Sequence, residues 1–277
     1  MTTPGRNNYV IVSGASKGIG RQCATALTEA GFHVLAGIRG QSDADALNGL
    51  GNSMLHPVML DITRPDQIAA LVSRCEGLDI RGLVNNAGTA VLGPVEFLPL
   101  DDIRQEFEVN LFGHVAMIQA FLPKLRAAKG RIINISSISG FVGLPYFGAY
   151  SASKFAIEGL SDALRRELKP TGVAVSVVQP GNMDTAIWDK SYNKAKALEG
   201  DFPDHAQRIY GKRFHRNADG RHGPLHKDPP GIVATAVVRA MTDARPKSRY
   251  LAGKDARRFS RRTRFLPDAL LDRIFRA

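Results

Sequence analysis

Seven short runs of apolar and largely β-branched residues are spread along the chain, and stretches with helical spacing separate them. The runs are YVIVSG, FHVLAGI, PVMLDI, GLVNNAG, RIINISS, VAVSVVQPG and, near the end, SRYLAG. Continuous apolar strands that alternate with amphipathic helices are typical of a parallel sheet covered on both faces. The pattern therefore predicts an α/β fold in which seven parallel strands form a doubly wound sheet.

Five of the stretches between the runs suit helices. They are residues 20–30, 65–75, 101–126, 149–169 and 230–242. In a doubly wound sheet, ligands bind beyond the carboxyl ends of the strands. We therefore expect functional side chains where each apolar run ends.

Length and composition favour a single domain over residues 1–277. A chain of 277 residues with 44% hydrophobic residues can bury a substantial core. It contains no flexible linker, no repeat, no signal-peptide pattern at its start and no apolar run near the ~18 to 20 residues that span a bilayer. Cys23 and Cys75 form neither a disulfide framework nor a metal-ligand spacing. We expect a cytoplasmic protein without a metal site.

The net charge of +11 is concentrated towards the C-terminal end. From Arg245 onward, eleven Lys and Arg residues stand against three Asp, so this part carries +8 and the rest of the chain +3. We treat residues 257–277 as a basic C-terminal extension and expect no nucleic-acid binding. The extension can contact phosphates, an anionic membrane or a second subunit, or it can be a solvated face.

An apolar stripe on a short helix is predicted within this extension. Its members are Leu266, Leu270, Leu271, Ile274 and Phe275. Such a helix can dock on its own subunit or lie on a membrane surface.

The first apolar run continues into a glycine-rich turn that opens a helix, VSGASKGIGRQCATAL. Gly14, Gly18 and Gly20 give the spacing G-x-x-x-G-x-G. Glycines there allow a tight turn and let a pyrophosphate approach the helix N-terminus, where free N–H groups favour an anion. The spacing alone does not identify a nucleotide site, because any tight strand-to-helix turn can contain it.

The second run ends at LAGIRG, the point where dinucleotide-binding folds distinguish NAD from NADP. A carboxylate here would bind the ribose hydroxyl of NAD, whereas a basic residue accommodates the additional phosphate of NADP. Arg39 follows Ile38, and Lys17 in the glycine turn supplies a second cation. The sequence therefore predicts NADP in preference to NAD, although two ordinary surface cations would give the same pattern.

The stretch GAYSASKFAIEGL places Tyr150 and Lys154 one helical turn apart. A tyrosine that packs and a lysine that stays in water would account for the pair. A phenol beside an ammonium group also suits proton transfer. The surrounding motifs decide between these interpretations.

Together these motifs resemble the short-chain dehydrogenase/reductase family, in its single-domain branch, from Tyr9 to about Ala256. SGASKGIG resembles the family's cofactor turn TGxxxGxG, with Ser13 in place of the usual threonine. Further matches are NNAG after the fourth strand, LDI at the adenine contact, VNLFG, the pair in YSASK, and PGNMDT at the nicotinamide amide. The resemblance implies a Rossmann fold and an oxidoreductase.

The resemblance also implies which residues bind the cofactor, with Asp61 holding the adenine amino group. The expected set is Gly14, Ser16, Lys17, Gly18, Ile19, Gly20, Arg39, Asp61, Ile62, Asn86, Ala87, Gly88, Tyr150, Lys154, Pro180, Gly181, Met183 and Thr185.

Four residues are implied as catalytic: Asn110, Ser137, Tyr150 and Lys154. The family's substrate-binding serine stands thirteen residues before the tyrosine, which selects Ser137; Ser136 and Ser139 are expected to satisfy loop backbone groups. Tyrosine has an ordinary pKa near ~10, and we expect Lys154 and a positively charged oxidised nicotinamide to lower the pKa of Tyr150. Tyr150 then exchanges a proton with the substrate oxygen, which Ser137 polarises. Asn110 is implied to hold a water that links Lys154 to solvent, although a hydrogen bond within its helix would also account for it.

Residues 186–230 occupy the position of the family's substrate lid. Their aromatic side chains can line a pocket for a lipophilic substrate, or they can fold the segment back onto the core. These side chains are Trp188, Tyr192, Phe202, Tyr210 and Phe214. The histidines of the segment follow no zinc spacing, and we expect them to be solvated in a loop. They are His205, His215, His222 and His226.

PGNMDTAIWDKS and SRYLAGKDA are most similar to family members that act on hydroxysteroids, retinoids and related lipophilic alcohols or ketones. The resemblance therefore implies an NADP(H)-dependent oxidoreductase for such compounds, working as a homodimer or homotetramer. An NAD-dependent alcohol dehydrogenase or a ketoacyl reductase is the nearest alternative enzyme. An NADP-sensing or nucleic-acid-binding protein on the same fold is the alternative from another class, and such proteins typically lack the tyrosine or the lysine.

Overall fold

The computed structural model describes residues 8–218, 227–263 and 266–274. The strands are β1 Asn8–Val12, β2 His33–Ile38, β3 Leu55–Met59, β4 Asp79–Asn85, β5 Arg131–Ile135, β6 Ala174–Pro180 and β7 Arg249–Ala252. They form one sheet in the order β3-β2-β1-β4-β5-β6-β7, and every neighbouring pair is parallel.

Helices connect the strands and cover both faces of the sheet. They are α1 Gly18–Glu29, α2 Gln41–Asn48, α3 Pro65–Arg74, α4 Leu100–Phe107, α5 Gly113–Ala127, α6 Gly148–Glu167, α7 Ala186–Gly200, α8 Asp204–Ala206, α9 Lys212–Ala218, α10 Gly231–Thr242, α11 Lys254–Thr263 and α12 Asp268–Ile274. Short 3₁₀ turns lie at Val95–Phe97, Ile138–Gly140 and Lys169–Thr171, and π-helical turns at Glu108–Phe112 and Gln207–Gly211.

The sheet separates two apolar layers. On one face, Leu27 of α1 and Val237 of α10 lie in a buried cluster with the strands. On the other face, Leu71 of α3, Phe121 of α5 and Leu164 of α6 lie in a second cluster. Burial on both faces explains why the strands read as continuous apolar runs instead of alternating ones. The predicted doubly wound fold with seven parallel strands is confirmed.

The order of the strands reverses at β1, and this reversal positions the site. From β1 the chain builds outward through β2 and β3, then returns and builds the other half from β4 to β7. A crevice results beyond the carboxyl ends of β1 and β4, where sheets of this kind bind ligands. The glycine turn follows β1, and the NNAG motif begins at the end of β4.

Two helix predictions differ from the structure. The helix predicted over residues 101–126 is interrupted by the π-helical turn Glu108–Phe112, which contains the buried Asn110. This side chain bonds both backbone groups of Thr89 in a neighbouring loop, at 2.9 Å each. Helix α2 was not predicted, because only Ala44 and Leu47 of its eight residues are buried, and one pair of apolar positions is too little to establish a helical period.

The described part of the C-terminal extension consists mainly of α11 and α12. Leu266 and Leu271 are half-buried, whereas Leu270 and Ile274 are 42% and 49% exposed. Phe275, which was predicted to belong to the same stripe, lies outside the described residues. Helix α12 and the loop at residues 141–145 line a cavity of about 630 Å³. The stripe is therefore only partly packed on its own chain.

Candidate active site

The hydroxyl of Ser13 joins the glycine turn to the loop after β4. Its Oγ accepts hydrogen bonds from the backbone N–H groups of Asn86 and Ala87, both at 3.0 Å. The side-chain amide of Asn86 donates in return to the carbonyl oxygens of Ser13 and Gly14, at 2.9 and 3.0 Å. Because only the hydroxyl makes these bonds, serine serves here in place of the threonine of the family motif.

The turn itself can be built only with glycines. Gly14 has φ +65° and Gly18 φ +53°, and a Cβ on Gly14 would lie 2.8 Å from Cα of Ala87. A Cβ on Gly20 would collide with the carbonyl oxygen of Gly14. The backbone therefore approaches closely at Gly14 and Gly20, and the turn leads directly into the N-terminus of α1. This cradle fits a dinucleotide pyrophosphate.

The two cations predicted to read the NADP phosphate are exposed where they were expected. Lys17 precedes α1, and Arg39 directly follows β2. Asp61 lies two residues after β3, where its Oδ1 accepts from the backbone N–H and the hydroxyl of Thr63 at 3.0 and 2.7 Å. These bonds fix the orientation of the carboxylate.

The other residues of the expected cofactor set belong to the loops and turns at the same edge of the sheet. Ser16 and Ile19 lie in and after the glycine turn, Ile62 after β3, Asn86, Ala87 and Gly88 after β4, and Pro180, Gly181, Met183 and Thr185 at or after the end of β6. Thr185 faces the turn directly, since a Cβ on Gly18 would contact it at 3.4 Å.

Tyr150 and Lys154 lie on α6 and meet Ser137, which follows β5; all three are buried. The hydroxyl of Ser137 is hydrogen-bonded to Tyr150 and accepts from the backbone N–H of Ser139 at 3.1 Å. Nζ of Lys154 donates to the carbonyl oxygen of Ile135 at 3.0 Å and lies 5.7 Å from the centre of the Tyr150 ring. The phenol and the ammonium group are therefore neighbours in a buried place, and neither is a surface group.

The neighbouring Ser136 corrects one expectation. Its hydroxyl is buried without a hydrogen-bond partner among the described residues, although we expected it to satisfy a loop backbone group. Gly140 packs so closely that a Cβ there would collide with Oγ of Ser136. The site thus uses Ser137 at Tyr150 and leaves Ser136 in the packing behind it.

Burial dominates the electrostatics of the pair. It raises the pKa of Tyr150; the hydrogen bond with Ser137 lowers that pKa in part, and the carboxylate of Glu106 raises it. Burial also lowers the pKa of Lys154 to about 8, against the opposing effects of Glu106 and Glu158. In the protein alone, desolvation therefore decides the direction of the shift at Tyr150. The expectation that Lys154 and an oxidised nicotinamide together lower this pKa stays a prediction.

Asn110 was predicted to hold a water that links Lys154 to solvent, and its side chain is held in place by hydrogen bonds at both its nitrogen and its oxygen. Its Nδ2 donates to the carbonyl oxygen of Thr89 at 2.9 Å and to Oγ of Ser153 at 3.0 Å. Its Oδ1 accepts from the N–H of Thr89 at 2.9 Å. A Cβ on Gly88 would lie 3.4 Å from this Oδ1 and 3.9 Å from Nζ of Lys154, so the open face of Gly88 borders both groups.

Sequence reasoning missed a buried acid in this network. Glu106 is fully buried on α4, and its Oε2 accepts from the N–H of Val91 at 2.9 Å. Its Oε1 lies 3.3 Å from both Oγ of Ser153 and Nδ2 of Asn110. Burial raises the pKa of Glu106 to about 7, against the lowering effects of the hydrogen bonds from Val91 and Ser153 and of the charge of Lys154. The four-residue spacing from Glu106 to Asn110 was the available signal.

Sequence reasoning also missed His114. Its ring is fully buried on α5, and Nε2 lies 2.8 Å from the carbonyl oxygen of Ala87, next to the cofactor crevice. Burial lowers the pKa of His114 to about 3, and the charge of Lys154 acts in the same direction. The imidazole is therefore neutral, and Nε2 carries the proton that it donates to Ala87. A single histidine in an apolar helix gives no sequence signal for such a role.

The segment after Thr185 covers the tyrosine. The Trp188 ring lies edge-on to Tyr150 and to Phe147, with ring centres 5.7 and 5.8 Å apart. Farther along, Phe202 stacks on Phe214 at 5.6 Å. Tyr192 and Tyr210 belong to the same apolar cluster. The predicted aromatic side chains thus fold the segment back onto the core, and Trp188 also forms a wall beside Tyr150.

Polar contacts attach this segment to the rest of the chain. Oγ of Ser191 donates to the carbonyl oxygen of Ala90 at 2.7 Å, and Lys194 pairs with Asp102 at 3.2 Å. Of the four histidines, His205 and His215 are exposed but lie on α8 and α9, so the expectation that they lie in a loop is wrong. His222 and His226 lie outside the described residues. Within the described ranges, no group of three metal-binding side chains occurs.

A family model described as short chain dehydrogenase matches residues 8–196. The 17-beta-hydroxysteroid dehydrogenase type 6 of Bos taurus is 36% identical over 283 residues, which cover 97% of this chain and 88% of the relative. Retinol dehydrogenase 5 of Mus musculus is 35% identical over 285 residues, which cover 99% of this chain and 89% of the relative.

Solved structures give the same result. A short chain dehydrogenase from Burkholderia cenocepacia J2315, solved in complex with NADP, superposes with a TM-score of 0.77 at 28% identity and covers 100% of both chains.

Proposed function

The chain belongs to the short chain dehydrogenase family and is an oxidoreductase, and we propose that it transfers hydride between NADP(H) and a lipophilic ketone or secondary alcohol. One observation carries this proposal. Tyr150 is buried, hydrogen-bonded to Ser137 and one turn from Lys154, at the sheet edge where the glycine turn opens. This is an acid–base group with an adjacent hydroxyl to position an oxygen atom.

Each residue has one task in the proposed reaction. In the direction of reduction, the Tyr150 hydroxyl donates its proton to the carbonyl oxygen, and in oxidation the phenolate takes it back. The Ser137 hydroxyl donates a hydrogen bond to the same oxygen and holds it against Tyr150. Lys154 would hold the nicotinamide ribose through Nζ. When bound, the nicotinamide supplies or accepts the hydride.

A water-linked path for the proton past Asn110 is part of the same proposal. The second lone pair of its Oδ1 remains available, because Thr89 uses only one. The open face of Gly88 borders this oxygen and Nζ of Lys154. A water in that position would connect Lys154 to solvent.

NADP is the proposed cofactor. The cradle formed by Gly14, Gly18 and Gly20 would hold the pyrophosphate, and Asp61 the adenine. Arg39 and Lys17 lie exposed at the two places from which cations reach a phosphate on the adenosine ribose. One neighbour, from B. cenocepacia, was solved with NADP and another, from Burkholderia phymatum, with NAD, so the choice of NADP rests on Arg39 and Lys17.

A lipophilic substrate is proposed from the surroundings of Tyr150. Trp188 presents aromatic surface next to the phenol and packs against Phe147, and such a surface suits an apolar substrate body better than a charged one. The names of the bovine and mouse relatives refer to a hydroxysteroid and to retinol, both lipophilic alcohols. We propose that residues 186–230 act as the lid over this substrate.

The assembly and location are further parts of the proposal. Phe112 and Phe155 are 54% and 46% exposed on the surface next to α5 and on α6, and burying them between subunits would explain a homodimer or homotetramer. The basic extension at residues 257–277 would contact an anionic membrane on its cytoplasmic side. In the described part of the chain, no helix is long and apolar enough to cross a membrane.

A single screen tests the proposal. Ketones of steroid, retinoid and ketoacyl type are offered with NADPH or NADH, and the loss of nicotinamide absorbance is followed. Turnover of lipophilic ketones with NADPH is expected. Preference for NADH, or for ketoacyl substrates alone, would favour the alternative enzymes, and no turnover with any substrate would contradict the proposal.

A further inference from the structure

The carboxyl group of Glu106 has a place in the active site that the reaction described above does not use. It is fully buried within a group of polar side chains that lead to the catalytic helix. Through Ser153 and Asn110 it reaches α6, which carries Tyr150 and Lys154. A buried carboxyl group in such a position is costly unless it is paired or neutral.

Ser153 links Glu106 to the catalytic tyrosine. Its Oγ accepts from Nδ2 of Asn110 at 3.0 Å and lies 2.8 Å from the carbonyl oxygen of Tyr150 and 3.3 Å from Oε1 of Glu106. A serine hydroxyl has a single proton to donate, so Ser153 donates either to the carbonyl oxygen of Tyr150 or to an ionised Glu106. When Glu106 is protonated, the carboxylic acid can donate to Oγ of Ser153, and Ser153 can donate its own proton to the carbonyl oxygen of Tyr150.

The other charged and titratable groups around the network are few among the described residues. Lys154 and Tyr150 on α6 interact electrostatically with Glu106: the charge of Lys154 lowers the pKa of Glu106, and the charge of Glu106 raises the pKa of Tyr150. His114 on α5 and Glu158 on α6 act on Lys154 from other directions. His114 is neutral because burial lowers its pKa to about 3, and Glu158 is held by Arg249 at 3.0 Å. Glu106 and Lys154 are therefore the groups in this set that change charge near neutral pH, since burial raises the pKa of Glu106 to about 7 and lowers the pKa of Lys154 to about 8.

We propose that Glu106 is a positioning residue that sets, through Ser153 and Asn110, the charge balance around Lys154 and Tyr150 and thereby the pH range in which proton transfer works. Ionised Glu106 stabilises the ammonium form of Lys154 and disfavours the phenolate form of Tyr150. Protonated Glu106 has neither effect. The effect on turnover rests on the proposed function, whereas the ionisation of Glu106 does not.

The first experiment reads the carboxyl group directly and needs no substrate. The infrared C=O stretching band of a protonated carboxylic acid is followed against pH in the protein without cofactor. We expect a band that disappears with a midpoint near pH 7 and that is missing in Glu106→Gln. Glu108→Gln, which removes an exposed carboxylate two residues away, is the matched control and should keep the band. A protein with no such band near pH 7 would overturn the inference.

The second experiment measures the pH dependence of kcat/KM for ketone reduction in the same three proteins. In Glu106→Gln the midpoint assigned to Tyr150 and Lys154 should move to lower pH by on the order of one unit, because a negative charge that raises both pKa values is gone. Glu108→Gln should give the wild-type profile. Coinciding profiles for Glu106→Gln and wild type would overturn the inference. The proposed function would still stand in that case, because both proteins would reduce the ketone.

A second variant covers the case in which Glu106→Gln does not fold. Ser153→Ala keeps the carboxyl group but removes the hydroxyl that lowers the pKa of Glu106. The infrared midpoint should therefore rise above the wild-type value. An unchanged midpoint would show that Ser153 does not couple to Glu106 and would contradict the proposed link.

Discussion

The buried imidazole of His114 should lower the free energy of unfolding of the protein in acid. Its ring is fully buried, Nε2 donates to the carbonyl oxygen of Ala87 at 2.8 Å, and Nδ1 has no partner among the described residues. Burial lowers the pKa of His114 to about 3 from an ordinary value of 6.5. In the unfolded chain the same imidazole is free to bind a proton at the ordinary pKa.

The sign and size of the effect follow from these two pKa values. Because the folded pKa lies below the unfolded one, the stabilisation is present above pH 6.5 and is lost as the pH falls towards 3. At about pH 4.5, which is two units below the ordinary pKa of 6.5, the imidazole has bound a proton in the unfolded chain but not in the folded protein. Each unit corresponds to about 1.4 kcal/mol, so the loss attributable to His114 is about 3 kcal/mol.

His114→Gln isolates this contribution. Glutamine can place its Nε2 near that of the imidazole and so keep the donor to Ala87, but it does not titrate. Free energies of unfolding are measured by urea denaturation, followed by circular dichroism, at about pH 8 and about pH 4.5 for both proteins. The wild type should lose about 3 kcal/mol more between the two conditions than the variant does.

His205→Gln removes an exposed imidazole and is the matched control, which should lose as much as the wild type. The comparison of differences cancels Glu106 and the other carboxyl groups, because they titrate alike in all three proteins. An equal loss in wild type and His114→Gln would refute the reasoning, since it would mean that the ring binds a proton in the folded state.

Three further predictions concern function. Tyr150→Phe should keep NADPH affinity, measured by fluorescence titration, but lower kcat by on the order of a hundredfold or more, because the ring still packs without a proton to transfer; near-normal kcat would exclude Tyr150 as the acid. Arg39→Ala combined with Lys17→Ala should weaken NADPH far more than NADH, by on the order of ten- to a hundredfold for each charge-assisted contact; equal changes in the two dissociation constants would show that these cations do not read the phosphate. A chain truncated after Ala256 should bind NADPH normally but lose salt-sensitive retention on anionic vesicles in a sedimentation assay; full retention would leave the extension without a membrane role.

The fold was predictable because its main signal is local. Strands buried on both faces must be apolar throughout, and the seven runs therefore marked seven strands. The edge on which the site lies also followed, since parallel strands bring their carboxyl ends together. The glycine turn and the pair Tyr150 and Lys154 were visible for the same reason, because each lies within a few adjacent residues.

The residues that sequence reasoning missed owe their roles to contacts between distant segments. Glu106 is buried because Val91 and Ser153 enclose it, and these lie 15 and 47 residues away in the chain. His114 depends on Ala87, 27 residues earlier. When the surroundings of a helix are unknown, a glutamate on it is expected to be exposed. A histidine on it favours neither an exposed nor a buried position. Asn110 in the π-helical turn likewise bonds a distant residue, Thr89, 21 positions earlier.

The direction of the pKa shift at Tyr150 shows which information the spacing of residues lacks. A spacing of four residues establishes that a phenol and an ammonium group are neighbours, and a neighbouring cation lowers the pKa of a phenol. Full burial acts in the opposite direction on both groups: it raises the pKa of Tyr150 and lowers the pKa of Lys154 to about 8. The protein alone therefore holds Tyr150 protonated, which suits the donor required for reduction. For the reverse reaction, the positive charge that favours the phenolate has to arrive with the oxidised cofactor, so binding of the cofactor and readiness of the base are coupled.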